Sequence, residues 1–430
     1  MFSRFMDEAA MRIFFSVGEP SGDLHGANLI GELCRRKPGV ELTGFGGPRM
    51  AAAGCQLLQD MTELAVMGLG PVLAKLPKFF ALKAQADRYF RQHKPDAVVL
   101  IDYPGFNWHI AALAKTHGIP VFYYGIPQLW AWMSWRVYKV RKYVDHALCK
   151  LPFEEAWLRE RGCNATYVGH PYFDELQTRK LDRPFLAQQT SDKTRLVTIL
   201  PGSRGQEVRS NLPALLKAAV TTHAQVPGLR FAIASYNQAQ AEQARRQVAG
   251  LNLPLEVHVG RTPELIEAAT VCLACSGSVS LELLYHTKPA VMVYRISPLL
   301  YWIVKSQARV KYMTLVNLLT TKDLYPKDLR TYDPQLPGNE EVLYPEFPTC
   351  TDQSAAIARH AIELLTDEPK RLGIIQKLAE LKSRMAGAGA SATAADYLLK
   401  HISPRMRLSA QYFDLRSENT ATWRVGRKSA

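Results

Sequence analysis

The sequence predicts an α/β protein made of two doubly wound, Rossmann-like domains facing a cleft, followed by C-terminal helices. Three observations carry that expectation. Short, continuously apolar runs alternate with helical stretches, the pattern of parallel strands covered by helices on both faces. The alternation breaks at a polar stretch, Leu176 to Lys193, and then restarts. A chain of 430 residues also exceeds what one hydrophobic core organises. The expected division is 11–175 and 194–366 for the two domains, 367–400 for the C-terminal helices and 401–430 for a basic tail read as disordered.

In the first half, strands are expected at Arg12 to Val17, Glu41 to Gly44, Ala97 to Ile101, Val121 to Tyr124 and His146 to Cys149. Helices are expected at Asp23 to Arg36, Pro71 to His93, Asn107 to Thr116 and Trp135 to Lys142, with Pro77 interrupting the second of these. In the second half, strands are expected at Leu196 to Leu200, Phe231 to Ala234, Leu255 to Val259, Val271 to Cys275 and Ala290 to Val293. The stretch Lys322 to Pro348 shows no period. Helices follow at Asp352 to Leu365, Pro369 to Ser383 and Ala390 to Lys400.

Hydrophobic residues make up 47% and charged residues 21% of the chain, an ordinary globular balance. The net charge of +14 is not ordinary and favours an anionic partner. No nucleic-acid motif is present and the cations are dispersed, which argues against DNA or RNA. The seven cysteines are scattered or lie in apolar runs, as expected of reduced structural thiols in a cytosolic protein. No run reaches the ~20 apolar residues of a membrane span. The first ten residues do not read as a signal peptide, and Met11 is an alternative start.

Two loops suggest a nucleotide-diphosphate site. Pro201-Gly202-Ser203-Arg204-Gly205-Gln206-Glu207 joins a strand to a helix, where backbone N–H groups favour phosphate oxygens and Arg204 adds a planar charged fork. Glu207 either orients Arg204 or closes the first helical turn. Ser276-Gly277-Ser278 repeats the arrangement, with Glu282 in the following helix as a dipole-favoured carboxylate or a ribose ligand. An ordinary strand-turn-helix with a surface arginine fits the first loop about as well.

In the first domain, the Gly18 to Asp23 turn places Glu19, Ser21, Gly22 and Asp23 at a strand's carboxyl end. They either cap the helix or hold acceptor hydroxyls. Asp102 follows an apolar strand and either braces its turn or acts as a base. His25, His109 and His170 are alternative bases, and none has metal-ligand spacing. Leu69, Val72, Leu73, Leu76 and Phe80 share one helical face beside lysines, which suits a core stripe or a membrane contact. Trp130, Trp132 and Trp135 leave a similar choice between core and acyl-chain contact.

These loops together resemble the lipid-A-disaccharide synthase family, inverting glycosyltransferases of the GT-B type. The matching segments, in family order, are Gly18 to Asp23, Gly46-Gly47-Pro48-Arg49-Met50, Glu63 to Gly68, Ile101 to Asn107, Trp130-Ala131-Trp132, Leu151-Pro152-Phe153-Glu154, Gly169-His170-Pro171, Leu200 to Arg204 and Ser276-Gly277-Ser278. The resemblance implies transfer of 2,3-diacylglucosamine from UDP-2,3-diacylglucosamine to the 6-hydroxyl of 2,3-diacylglucosamine 1-phosphate (lipid X), giving a β(1→6) disaccharide and UDP. It implies no metal or other cofactor, and work at the inner face of the inner membrane, on an anionic surface. It puts the base on Asp102, the diphosphate contacts on Arg204 and the Ser276 loop, and Asn317 near the nucleotide; with the loop reading above, the expected UDP contacts are Gly202, Ser203, Arg204, Glu207, Ser276, Gly277, Ser278, Glu282 and Asn317. From the residues themselves, the acceptor side is expected at Glu19, Ser21, Gly22 and Asp23, and the acyl or membrane contact at Val66, Met67, Leu69, Val72, Leu73, Leu76 and Phe80. Exchanged C-terminal helices in the family imply a homodimer.

Gly105 departs from the family pattern, standing where many members carry a second acidic residue. The stretch from Lys322 to Leu343 is longer than usual. The alternatives are another GT-B enzyme on a UDP-aminosugar, a transferase or an epimerase, and a non-catalytic nucleotide-binding protein at a membrane surface. A NAD-dependent dehydrogenase is disfavoured because Gly18 to Asp23 lacks G-x-G-x-x-G.

Overall fold

The computed structural model describes residues 10–61, 69–191, 194–327, 342–387 and 389–403, with the backbone alone described at 69–76. The chain divides into two compact units. The first holds the described residues up to 127, then 136–169, and those from 389 onward. The second holds 128–135 and the described residues from 170 to 387.

The first unit runs β1 (Arg12–Val17), α1 (Pro20–Arg36), β2 (Glu41–Gly46), α2 (Pro48–Ala52), β3 (Gln56–Asp60), α3 (Leu69–His93), β4 (Ala97–Ile101), α4 (Pro104–Thr116), β5 (Val121–Tyr124), α5 (Val137–Tyr143), β6 (His146–Cys149), α6 (Pro152–Arg159) and β7 (Ala165–Tyr167). Its strands form one parallel sheet in the order β3-β2-β1-β4-β5-β6-β7. β4 is buried at all five positions, as its unbroken apolar run requires of a central strand with both faces covered. Phe15, Val99, Ile101 and Phe122 pack with Leu29, Ile30 and Leu33 of α1.

The second unit runs α7 (Tyr172–Thr178), α8 (Arg183–Thr190), β8 (Arg195–Leu200), α9 (Gly205–Gln225), β9 (Leu229–Ser235), α10 (Gln238–Val248), β10 (Leu255–Val259), α11 (Thr262–Ala268), β11 (Val271–Cys275), α12 (Val279–Tyr285), β12 (Ala290–Arg295), α13 (Pro298–Gln307), α14 (Leu315–Thr320), β13 (Glu346–Thr349), α15 (Ser354–Thr366) and α16 (Glu368–Met385). Its parallel sheet has the order β10-β9-β8-β11-β12-β13. A last helix, α17 (Ala390–His401), belongs to the first unit. There Asp396 pairs with Arg36 at 2.6 Å, and the Tyr397 hydroxyl meets His146 at 3.0 Å.

Three expectations change. α3 continues through Pro77 rather than breaking there, although proline supplies no N–H and crowds the preceding turn. The polar stretch read as a linker holds the last turn of α7 and the whole of α8. Asp182 caps α8 by accepting from the Phe185 N–H at 3.1 Å. The region without a clear period ends in β13, a short strand whose Glu346 is buried.

Candidate active site

Each sheet reverses its strand order beside its first strand: β2 and β4 flank β1, and β9 and β11 flank β8. Chain leaving such strands diverges and opens room for a ligand. The loops at these points begin at Gly18 and Asp102 in the first unit, and at Pro201 and Ser276 in the second.

In the first unit, Asp102 and Tyr103 both have φ of 45°. Such left-handed residues with side chains cost about 1–3 kcal/mol each and persist only where their surroundings over-determine them. The surroundings here are specific. The Asp102 carbonyl accepts from Asn107 Nδ2 at 2.8 Å and from the Tyr123 hydroxyl at 2.7 Å. Burial and the Asp102 carboxylate hold Tyr123 well above its ordinary pKa, so it remains a donor. Asn107 is wholly buried in α4 and also donates to the carbonyls of Ser16 (3.1 Å) and Ile101 (3.3 Å). Its own carbonyl accepts from the Ser16 hydroxyl at 2.7 Å. One amide therefore ties the ends of β1 and β4 to the Asp102 turn.

The Asp102 carboxylate meets Lys150, which follows β6, at 2.9 Å. Burial opposes the charge on Lys150, but Asp102, Glu154 and Glu19 hold its pKa above the usual lysine value. Gly125, with φ of 77°, lies against this pair: a Cβ there would stand 2.9 Å from both Asp102 Oδ1 and Lys150 Nζ. A Cβ on Gly18 would stand 2.1 Å from the Tyr103 ring. Burial and then Glu19 push Tyr103 up, so Glu19 lies electrostatically close to both Tyr103 and Lys150.

Ser21 is exposed and Gly22 buried in the first turn of α1. The buried Asp23 carboxylate accepts from the N–H groups of Gly47 (3.0 Å), Met50 (3.1 Å) and Arg49 (3.1 Å), so it caps α2 rather than its own helix. Of the apolar stripe, Val66 and Met67 lie outside the described residues. Leu69, Val72, Leu73 and Leu76 fall in α3 where backbone alone is described, and Phe80 is exposed. Burial, then Lys83 and Lys139, lower His109, while His170 Nδ1 accepts from the Tyr172 N–H at 3.3 Å.

In the second unit, Glu207 closes the first loop. Its carboxylate accepts from the N–H groups of Ser203 (3.0 Å) and Arg204 (3.1 Å) and from the Arg204 guanidinium (3.0 Å). The Arg204 side chain remains 54% exposed, able to turn toward an anion. Gly202 has φ of 128°, and a Cβ there would meet Glu207 Cβ at 2.5 Å. Asn211, wholly buried in α9, donates to Pro201 O (3.4 Å), Glu207 O (2.9 Å) and Cys275 Sγ (3.2 Å), and accepts from the Arg295 N–H (2.8 Å). Burial and Glu207 push the Cys275 thiol up to about 12, keeping it neutral.

Gly277 and Ser278 are exposed at the start of α12. Glu282 is buried, accepting from the Tyr172 hydroxyl (2.7 Å) and Arg179 (2.5 Å). Asn317 is also buried. It donates to Tyr344 O (2.7 Å) and Glu346 (2.9 Å) and accepts from the Tyr344 N–H (3.1 Å). Burial raises the Glu346 pKa against the N–H groups of Met313 and Thr314, which it accepts. Trp130 is buried, while Trp132 and Trp135 are exposed. All seven cysteines are free. Among the described residues, no group of His, Cys, Asp and Glu is placed to hold a metal ion, and no helix is long and apolar enough to cross a membrane.

Lys150, Gly125, Asn107, Tyr123, Asn211 and Glu346 were not singled out as functional from the sequence. The available signals were a lysine next to Leu151-Pro152 at a strand end and the place of Asn107 at the close of the matched segment Ile101 to Asn107.

A family described as lipid-A-disaccharide synthetase (LpxB) matches residues 13–349. The chain belongs to that family. A lipid-A-disaccharide synthase of Myxococcus xanthus (strain DK1622) is 32% identical over 394 residues, 91% of this chain and 98% of its own. Those of Nitrosococcus oceani (31% over 392 residues, 91% and 96%) and Coxiella burnetii strain Dugway 5J108-111 (33% over 376 residues, 87% and 94%) are similar. Like these relatives, the chain is a glycosyltransferase.

Among solved structures, a putative UDP-N-acetylglucosamine 2-epimerase from Listeria monocytogenes aligns with a TM-score of 0.63 at 10% identity, covering 93% of this chain and 99% of that one. MurG of Acinetobacter baumannii aligns with a TM-score of 0.54 at 14% identity, covering 91% and 99%. At such identities the likeness concerns fold alone, and the fold is GT-B, with two parallel-sheet Rossmann-like domains.

Proposed function

We propose that the chain transfers 2,3-diacylglucosamine from UDP-2,3-diacylglucosamine to the 6-hydroxyl of 2,3-diacylglucosamine 1-phosphate at an anionic membrane surface, with Asp102 as the base. The observation that carries this reading is the Asp102 carboxylate, placed at the carboxyl end of β4 on a left-handed turn and paired with Lys150. Lys150 engages Oδ1, and Oδ2 accepts the acceptor's hydroxyl proton as that oxygen attacks the anomeric carbon. The bond from the anomeric carbon to the diphosphate oxygen breaks, and UDP departs with its electron pair.

Arg204 turns to the diphosphate and offsets the charge that develops on it. Gly202, Ser203, Ser276, Gly277 and Ser278 surround the nucleotide. Glu207, Glu282 and Asn317 act on it through the loops they hold, because their side chains are already engaged. Glu19, Ser21 and Gly22 line the acceptor side, and Asp23 fixes the neighbouring turn. The stripe from Val66 to Phe80 contacts acyl chains. The test is UDP release by the purified chain with the donor, with and without the acceptor. Acceptor-dependent release with a disaccharide product supports the reading. Release without acceptor, or none, overturns it in favour of a hydrolase, an epimerase or a binding protein.

A further inference from the structure

The helix α13 is unlike every other α-helix described. None of its ten residues is buried. Leu299, Leu300, Trp302, Ile303 and Val304 are 41–74% exposed. At 100° per residue these five side chains sweep an arc of roughly 200° around the helix axis. A helix this apolar is normally covered. A flat protein partner covers one face, whereas immersion in a lipid interface covers such an arc at once. The helix is well formed in its own right, since the Ser297 hydroxyl caps it from the Leu300 N–H and Lys305 lies over the Tyr301 ring at 5.9 Å.

Charge selects the kind of surface. Between Glu282 and Asp323 the sequence contains no acidic residue, while Lys305 lies in the last turn of the helix and Arg295, Arg309 and Lys311 flank it. Lys305 and Arg309 are exposed. The Arg309 N–H donates to Ala131 O at 2.9 Å, which brings the exposed Trp132 to the same end of the unit. Indole rings and cations beside an apolar helix match the headgroup zone of an anionic bilayer.

We propose that α13 is an interfacial anchor that seats the second unit on anionic phospholipid, separately from the stripe of α3. This rests on the membrane-surface part of the proposed function. It adds that the unit carrying Arg204 has its own lipid contact, which keeps the nucleotide loops beside the surface holding an acylated donor.

The experiment is co-sedimentation of the purified full chain with vesicles of phosphatidylglycerol and phosphatidylethanolamine, and with phosphatidylcholine vesicles. The wild type binds the anionic vesicles preferentially. The variant Leu299→Ser/Trp302→Ser/Ile303→Ser partitions about tenfold less or weaker, with an unchanged thermal midpoint. The control Val220→Ser/Leu372→Ser, which removes exposed apolar side chains of α9 and α16, partitions like the wild type. Brominated acyl chains quench wild-type fluorescence more than that of Trp302→Phe. Equal partitioning of triple variant and wild type overturns the anchor and leaves the membrane reading standing. No binding by the wild type overturns both. Unchanged partitioning with lost self-association in sedimentation velocity means that a second copy covers α13, and also overturns the anchor.

Discussion

The two strand-order reversals use the same device for opposite ends. In each, one wholly buried asparagine ties strand ends together: Asn107 joins β1 and β4, and Asn211 joins the ends of β8, β11 and β12. What they hold differs. Asn107 clamps the carbonyl of a strained, part-buried carboxylate that is already paired with Lys150. Asn211 supports a loop whose carboxylate, Glu207, is folded inward and whose arginine is left exposed. The first arrangement fixes the proposed base in one geometry. The second leaves a half-exposed cation, paired with Glu207, over a firm turn. A base must be preorganised to react, whereas a diphosphate ligand is gathered by a charge that can follow it.

That contrast can be broken by substitution. Arg204→Ala removes the exposed cation, and kcat/KM falls about 10²–10³-fold with UDP affinity weakened and thermal stability unchanged. Steady-state kinetics and calorimetry with UDP check this, and a destabilised Arg204→Ala protein with normal UDP affinity would invert the contrast. Asn107→Ala leaves buried carbonyls and the Ser16 hydroxyl unpaired. It destabilises the first unit by about 2–4 kcal/mol, measured by urea unfolding. Gly125→Ala places a methyl against Asp102 and Lys150 and lowers kcat about tenfold to a hundredfold, while UDP affinity holds.

Lys150→Met removes about 1 kcal/mol of stability near neutral pH and lowers kcat several-fold. Because Lys150 has a raised pKa in the folded protein, its contribution is fully present below the unfolded lysine value of about 10.4. It is lost as pH rises through the folded value. Unfolding at pH 8 and pH 11 therefore shows the gap between wild type and variant closing at the higher pH.

Much of this was legible in the sequence, for reasons that can be named. β4 and β8 announce themselves as unbroken apolar runs, so Asp102 and the Gly202–Arg204 loop fall at strand ends by counting alone. Lys150 does not, because its partner lies 48 residues away and meets it only when β4, β5 and β6 align. The roles of the two asparagines do not show in the sequence because each also ties in a distant strand end: Asn107 reaches Ser16, and Asn211 reaches Cys275 and Arg295. Asp23 reads as a cap, but the helix it caps begins 25 residues later at Pro48. β13 was missed because a buried glutamate and a proline interrupt its apolar pattern. α13 was missed because its composition is that of a core element, and only the structure shows that none of its residues is buried among the described residues.

On the proposed reading, the first unit supplies the base and the second supplies the grip on the nucleotide. Asp102→Asn keeps the shape of the side chain and its contact with Lys150 while removing the basic oxygen. The measurement is acceptor-dependent disaccharide formation alongside UDP affinity for this one variant. The account predicts turnover reduced about 10²–10⁴-fold with the UDP Kd unchanged. Turnover within a few-fold of wild type, or turnover and UDP binding lost together, would contradict it.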